Sequence, residues 1–146
     1  MAEGSEHGVM NHLIETCRDA ERGLRLASAR VADPSLKLLL AEMAAQRASF
    51  ASELLPYAQR LGGDAPAEGT AAGALHRGWI DLKASVLHTD HAIVAEVQRG
   101  DGVALRTYFE AVNGMLPPDA REVVQRQCDA LASAHVRVGA FQPGAR

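Results

Sequence analysis

Apolar side chains return at steps of three and four through every long stretch of this chain, and only helices present such residues on one face. From about Gly8 to Val31 the series is Met10, Leu13, Ile14, Cys17, Leu24 and Val31. Asp33-Pro34 closes that stretch and opens the next. Asp caps a helix N-terminus, and Pro fits the first turn, where its missing N–H is not needed. The second stretch carries Leu36, Leu40, Met43, Phe50, Leu54, Tyr57 and Leu61. Its Pro56 should kink the helix or fray the last turn. Gly62-Gly63 then supplies the left-handed residue that helix ends favour.

A short linker over 64–69 leads into a third amphipathic stretch from about Thr70 to Leu87, with Leu75, Trp79, Leu82 and Val86 on one side. A fourth begins at Thr89, a good N-cap, and carries Val94, Val97, Leu105, Tyr108 and Val112 as far as Asn113-Gly114. Gly100 and Gly102 interrupt it, each costing about 1 kcal/mol relative to Ala, so a local distortion is expected there. Pro117-Pro118-Asp119 starts the last helix, whose inner face reads Val124, Leu131 and Val138, and Pro143-Gly144 ends it. The simplest architecture is all-α: an up-down pair, a crossover helix and a second up-down pair, a four-helix bundle with one long connection. Residues 1–146 then form one domain, with 1–7 and 142–146 as flexible ends.

Composition supports this and excludes several functions. Alanine, the best helix former and a poor strand residue, occurs 27 times, against six aromatic residues. Fifteen Lys and Arg against eighteen Asp and Glu give a net charge of −3, which argues against nucleic acid or an anionic membrane as partner. No apolar run exceeds four residues, far short of a membrane span. The first residues lack the basic and apolar regions of a secretory signal, so the cytoplasm is the expected compartment. No Cys-x-x-Cys, phosphate-binding Gly loop or Gly-x-Ser-x-Gly elbow occurs.

The chemistry lies where polar residues interrupt the apolar stripes. The stripe 10, 14, 17, 21, 24, 28, 31 puts Glu21 on a buried face; 36, 40, 43, 47, 50, 54, 57 does so for Arg47. The stripe 94, 97, 101, 105, 108, 112 adds Asp101, and 124, 127, 131, 135, 138 adds Gln127 and His135. Counted from the Asp33 end, Glu21, Asp101, Arg47 and Gln127 lie about ten to fourteen residues down, one layer at mid-depth. Glu96 and His135 form a second pair about six residues down. A structural layer is the leading reading, with Arg47 bridging Glu21 and Asp101, because a buried Arg needs carboxylate partners. A metal site built from Glu21, Asp101, Glu96 and His135 is the alternative, as is a small anionic ligand held by Arg47. His88 and His91 have the spacing of a zinc pair but lack a third ligand, so they read as surface residues, as do His7 and His12. His76, Arg77 and Trp79 either line a groove of the crossover helix or form its solvated edge. Cys17 and Cys128 read as buried thiols, with oxidation open to them only if their helices are neighbours.

Several segments resemble a bacterial family classed as a domain of unknown function, number 2383. They are Leu13-Ile14-Glu15-Thr16-Cys17-Arg18-Asp19-Ala20-Glu21, then Ala45-Gln46-Arg47 with Phe50 and Glu53-Leu54, and Glu96-Val97-Gln98-Arg99-Gly100-Asp101. The most specific is Gly73-Ala74-Leu75-His76-Arg77-Gly78-Trp79-Ile80-Asp81-Leu82-Lys83. The resemblance implies a ferritin-like four-helix bundle and carries no particular activity. It does not bring the di-iron centre of such bundles, which requires Glu-x-x-His on two helices. No Glu here is followed by His three residues later. The expected function is therefore a non-catalytic bundle without a cofactor that associates as a homodimer. The competing expectation is an oxidoreductase binding iron or another divalent metal through a non-standard ligand set.

Overall fold

A computed structural model describes residues 6–62 and 89–141, and among these residues every regular element is an α-helix. They are α1 (Glu6–Arg30), α2 (Pro34–Arg60), α3 (Asp90–Val112) and α4 (Pro118–Ala140). The expected helix over Thr70–Leu87, with His76, Arg77 and Trp79, lies outside the described residues, as does His88.

The helix ends follow local chemistry. Asp33 caps α2, its Oδ1 accepting from the backbone N–H of Ser35 at 2.8 Å and of Leu36 at 3.0 Å, with Pro34 in the first turn. Beyond Leu61, Gly62 takes φ +93°, the left-handed conformation, and donates its N–H to the Gln59 carbonyl at 3.1 Å. Thr89 caps α3 through Oγ1, which accepts from Ala92 N–H at 3.1 Å. No side chain caps α4, which opens with Pro118. Arg121 instead closes the α3–α4 turn, donating to the Val112 and Leu116 carbonyls.

Neither Pro56 nor the two glycines ends its helix. α2 continues past Pro56 to Arg60, and α3 runs unbroken through Gly100 and Gly102. Tertiary packing outweighs a cost of about 1 kcal/mol per glycine because the same helix buries Ile93, Val94, Val97, Ala104 and Tyr108.

α1 packs on α2 and α3, while α4 packs on α3 and α2. Asp90, at the start of α3, accepts from the N–H groups of Ala32 and Asp33 at 2.8 and 2.9 Å, which joins α3 to the α1–α2 turn. Along α2 and α4 the ion pairs Glu42–Arg137, Glu53–Arg126 and Arg60–Asp119 advance on one helix as they retreat on the other, so the two run antiparallel.

Among the described residues the apolar interior falls into two clusters. One gathers Met10, Leu13, Ile14, Cys17, Phe50, Leu54, Tyr108, Val124 and Leu131. The other gathers Ala20, Leu24, Leu36, Leu40, Met43, Ile93, Val97 and Val138. On α2 the boundary falls between Ala44 and Phe50, and on α3 between Val97 and Ala104. Arg47 and Asp101 occupy those two intervals.

Candidate functional site

Arg47 and Asp101 meet inside the boundary between the two clusters. Arg47 Nη1 lies 3.0 Å from Asp101 Oδ1, and neither side chain has any exposed surface. The two meet as opposed charges, without the alignment of a directed hydrogen bond. Arg47 Nε donates to its helix neighbour Gln46 at 3.3 Å. On the outer side, His135 Nδ1 of α4 stands 3.6 Å from Asp101 Oδ2, with its side chain 30% exposed. One buried carboxylate thus faces a permanent cation from α2 and an imidazole from α4. The guanidinium supplies a positive charge beside the Asp101 carboxylate from within the protein.

A second polar group draws on all four described helices. Cys17 Sγ of α1 is 3.0 Å from the Tyr108 hydroxyl of α3, and that hydroxyl is 2.6 Å from Gln127 Oε1 of α4. Gln127 Nε2 donates to Glu53 Oε1 of α2 at 2.8 Å and to the Phe50 carbonyl at 3.4 Å. Glu53 pairs at the surface with Arg126. Cys17, Tyr108 and Gln127 are buried, whereas Glu53 is about one-third exposed.

Burial controls the acid–base character of this group. It pushes the Cys17 thiol up to about 11, against the smaller opposing effect of the Arg47 charge. It also carries the Tyr108 phenol well above its ordinary 10.0, and the neighbouring Cys17 adds to that rise. At the surface, the hydrogen bond from Arg126 holds the Glu53 carboxyl below its ordinary 4.5, with help from Gln127. At neutral pH the interior therefore holds a thiol and a phenol, and the rim holds a carboxylate. Such a thiol has little thiolate to offer as nucleophile or metal ligand.

The four residues expected at mid-depth divide. Arg47, Asp101 and Gln127 are buried, but Gln127 belongs to the Tyr108 group and not beside Arg47. Glu21 requires correction. Its side chain is 25% exposed and its carboxylate accepts from Arg25 at 2.8 Å, one turn along the same helix. The buried acid of α1 is Asp19, 4% exposed, which accepts from Arg22. The inner stripe of α1 runs through Ala20 rather than Glu21. Alanine is too small to mark a face clearly, so the stripe could be drawn through its charged neighbour.

Glu96 also departs from its expected pairing with His135. It accepts from Arg99 on its own helix, while His135 turns to Asp101. Of the four residues considered as metal ligands, only Asp101 and His135 are brought together. Among the described residues, no group of three or more His, Cys, Asp or Glu side chains is placed to hold a metal ion. His12 and His91 are exposed, and Cys17 and Cys128 are both buried and reduced.

Tyr108 and Glu53 are functional candidates that pattern reading passes over, whereas Cys17 is visible there only as a buried thiol. Tyr108 and Cys17 both fit the apolar stripes, so periodicity alone places them in the core. A buried phenol seeks a hydrogen-bond partner, and Gln127 on the inner face of α4 was the available signal.

No curated protein matches the chain. A family model described as "Domain of unknown function (DUF2383)" matches residues 6–114, which takes in α1, α2 and α3 with Cys17, Arg47, Glu53, Asp101 and Tyr108. With most of its length and most of its polar interior inside that match, the chain belongs to the DUF2383 family.

Proposed function

We propose that this protein is a non-catalytic, metal-independent helical bundle of ferritin-like form, which acts in the cytoplasm by associating with a second copy of itself. The buried Arg47–Asp101 pair carries this reading, because a guanidinium 3.0 Å from the carboxylate already supplies the positive charge that a metal ion would bring there. A buried ion pair adds little net stability but disfavours any register that separates its members. Helices rich in alanine need such a device, since small side chains interlock weakly. Self-association is supported by large apolar side chains that are exposed among the described residues: Leu38, Phe109, Met115 and Val136. The cytoplasm suits a chain whose two cysteines are unpaired thiols. None of the described helices is long and apolar enough to cross a membrane.

The competing reading is an oxidoreductase holding iron or another divalent metal through Glu21, Asp101, Glu96 and His135. Elemental analysis of protein purified without chelator, combined with sedimentation equilibrium, separates the two. The expected result is a dimer with less than 0.1 metal ion per chain, roughly the level of adventitious binding. Stoichiometric metal that disappears in Asp101→Ala would overturn the metal-independent reading in favour of a metal-binding protein. A monomer at every concentration would remove the self-association.

A further inference from the structure

The Cys17–Tyr108–Gln127–Glu53 contacts have a direction that follows from which atoms can donate. A carboxylate and a backbone carbonyl only accept, so the Gln127 nitrogen, 2.8 Å from Glu53 and 3.4 Å from the Phe50 carbonyl, must be the donor to both. That fixes the Gln127 oxygen toward Tyr108, where it can only accept. The Tyr108 hydroxyl therefore spends its one proton on Gln127 at 2.6 Å. Its oxygen faces Cys17 Sγ at 3.0 Å with lone pairs alone, and the remaining proton has to come from sulfur. Every donor in the chain points the same way, from S–H through O–H and N–H to the Glu53 carboxylate, which Arg126 holds in place.

We infer that the Cys17 thiol is the fixed donor at the inner end of a one-way hydrogen-bond chain, and that the Glu53–Arg126 pair at the surface controls the state of this buried thiol. Bonds in such a chain polarise one another, so a strong acceptor at one end strengthens every bond behind it. The carboxylate draws on the amide, the amide carbonyl on the phenol proton, and the phenol oxygen on the thiol proton. A solute or partner that draws Arg126 away, or any change that removes the Glu53 charge, loosens the S–H bond's partner on the opposite side of the core. Four helices take part, one residue from each, so the coupling also senses whether the helices are properly seated.

The S–H stretch in the infrared reads this in the folded protein and is independent of overall stability. Two bands are assigned with Cys17→Ala and Cys128→Ala. The Cys17 band should lie at the lower frequency of a donating thiol and move to the position of an unbonded thiol in Tyr108→Phe. In Glu53→Ala it should move part of the way in the same direction, and in Glu53→Gln, which keeps a neutral acceptor, by a smaller amount. Glu53 is partly exposed, and the Gln variant secures the measurement should the Ala variant fold poorly. A Cys17 band already at the unbonded position in the wild type would overturn the assignment of sulfur as donor. A band that responds to Tyr108→Phe but stays fixed in both Glu53 variants would overturn the surface control.

Discussion

Arg47 on α2 and Asp101 on α3 meet at 3.0 Å with no exposed side-chain surface, in the gap that divides the apolar interior into two clusters. Their value to the fold is conditional on each other. A buried guanidinium without its carboxylate, or the reverse, is an uncompensated charge away from water.

Arg47→Leu should therefore destabilise the protein by about 3–5 kcal/mol in urea unfolding, because Asp101 stays buried and loses its counterion. Replacing both residues together, Arg47→Leu with Asp101→Leu, should recover most of that loss, since well-packed apolar substitutes for a buried pair are often neutral or better. The double variant also tests the register role: a pair that sets register leaves behind a protein of similar stability with broader amide resonances. A single-variant effect below about 0.5 kcal/mol, the size of a surface substitution, would contradict the burial of the pair.

How far the sequence exposed this interior depended on the kind of residue concerned. Helix boundaries were legible because their chemistry is local: Asp33-Pro34, Thr89 and Gly62 act on backbone groups within a few positions of themselves. Arg47 is legible because the inner stripe steps from Met43 through it to Phe50, and Arg47 is buried. Glu21 was misplaced because its neighbour Ala20, the true inner residue, carries too little apolar surface to define a face. The Gln127–Glu53 contact joins residues 74 positions apart, and only the register of α2 against α4 brings them within 2.8 Å. No periodicity within one helix contains that information.

The correction on α1 is directly measurable. Glu21→Ala should change stability by no more than about 0.5 kcal/mol, as expected for a partly exposed i,i+4 pair with Arg25. Asp19→Ala should cost about 1–3 kcal/mol, because Asp19 is almost wholly buried and its removal strips hydrogen-bond acceptors from the interior. Equal effects at the two positions would mean that the inner face of α1 has been drawn incorrectly.

Asp90 and Asp33 act in series at one end of the helices. Asp90 accepts from the N–H groups of Ala32 and Asp33, and Asp33 in turn caps α2 through Ser35 and Leu36. Asp33→Ala should cost about 1 kcal/mol, the usual loss for an N-cap. Asp90→Ala should cost about 1–2 kcal/mol, because two hydrogen bonds to a charged acceptor are replaced by water at a partly exposed turn. The turn that Asp90 holds is the one Asp33 needs in order to cap, so the double variant should depart from additivity by about 0.5 kcal/mol or more. Strict additivity across the four proteins would show that the cap forms without the tether.

The raised thiol of Cys17 predicts a loss of stability in alkali. Burial carries it from an ordinary 9.0 to about 11, so in the folded state the proton is held more tightly than in the unfolded chain. Below pH 9 both states keep the proton, and the stabilisation is fully present. Between pH 9 and about 11 the unfolded chain releases its proton while the folded protein retains it, and unfolding becomes progressively easier. The full fall is roughly 2–3 kcal/mol, at about 1.4 kcal/mol for each pH unit separating the two states. Tyr108, raised well above 10.0 by the same burial, adds a further loss of the same sign above pH 10. Cys17→Ser retains a donor for the Tyr108 oxygen but does not titrate in this range. Urea unfolding of both proteins at half-unit steps from pH 8 to 10.5 should show the wild type falling more steeply from pH 9 upward. Parallel curves would mean that the Cys17 thiol is not confined to the interior in the folded protein.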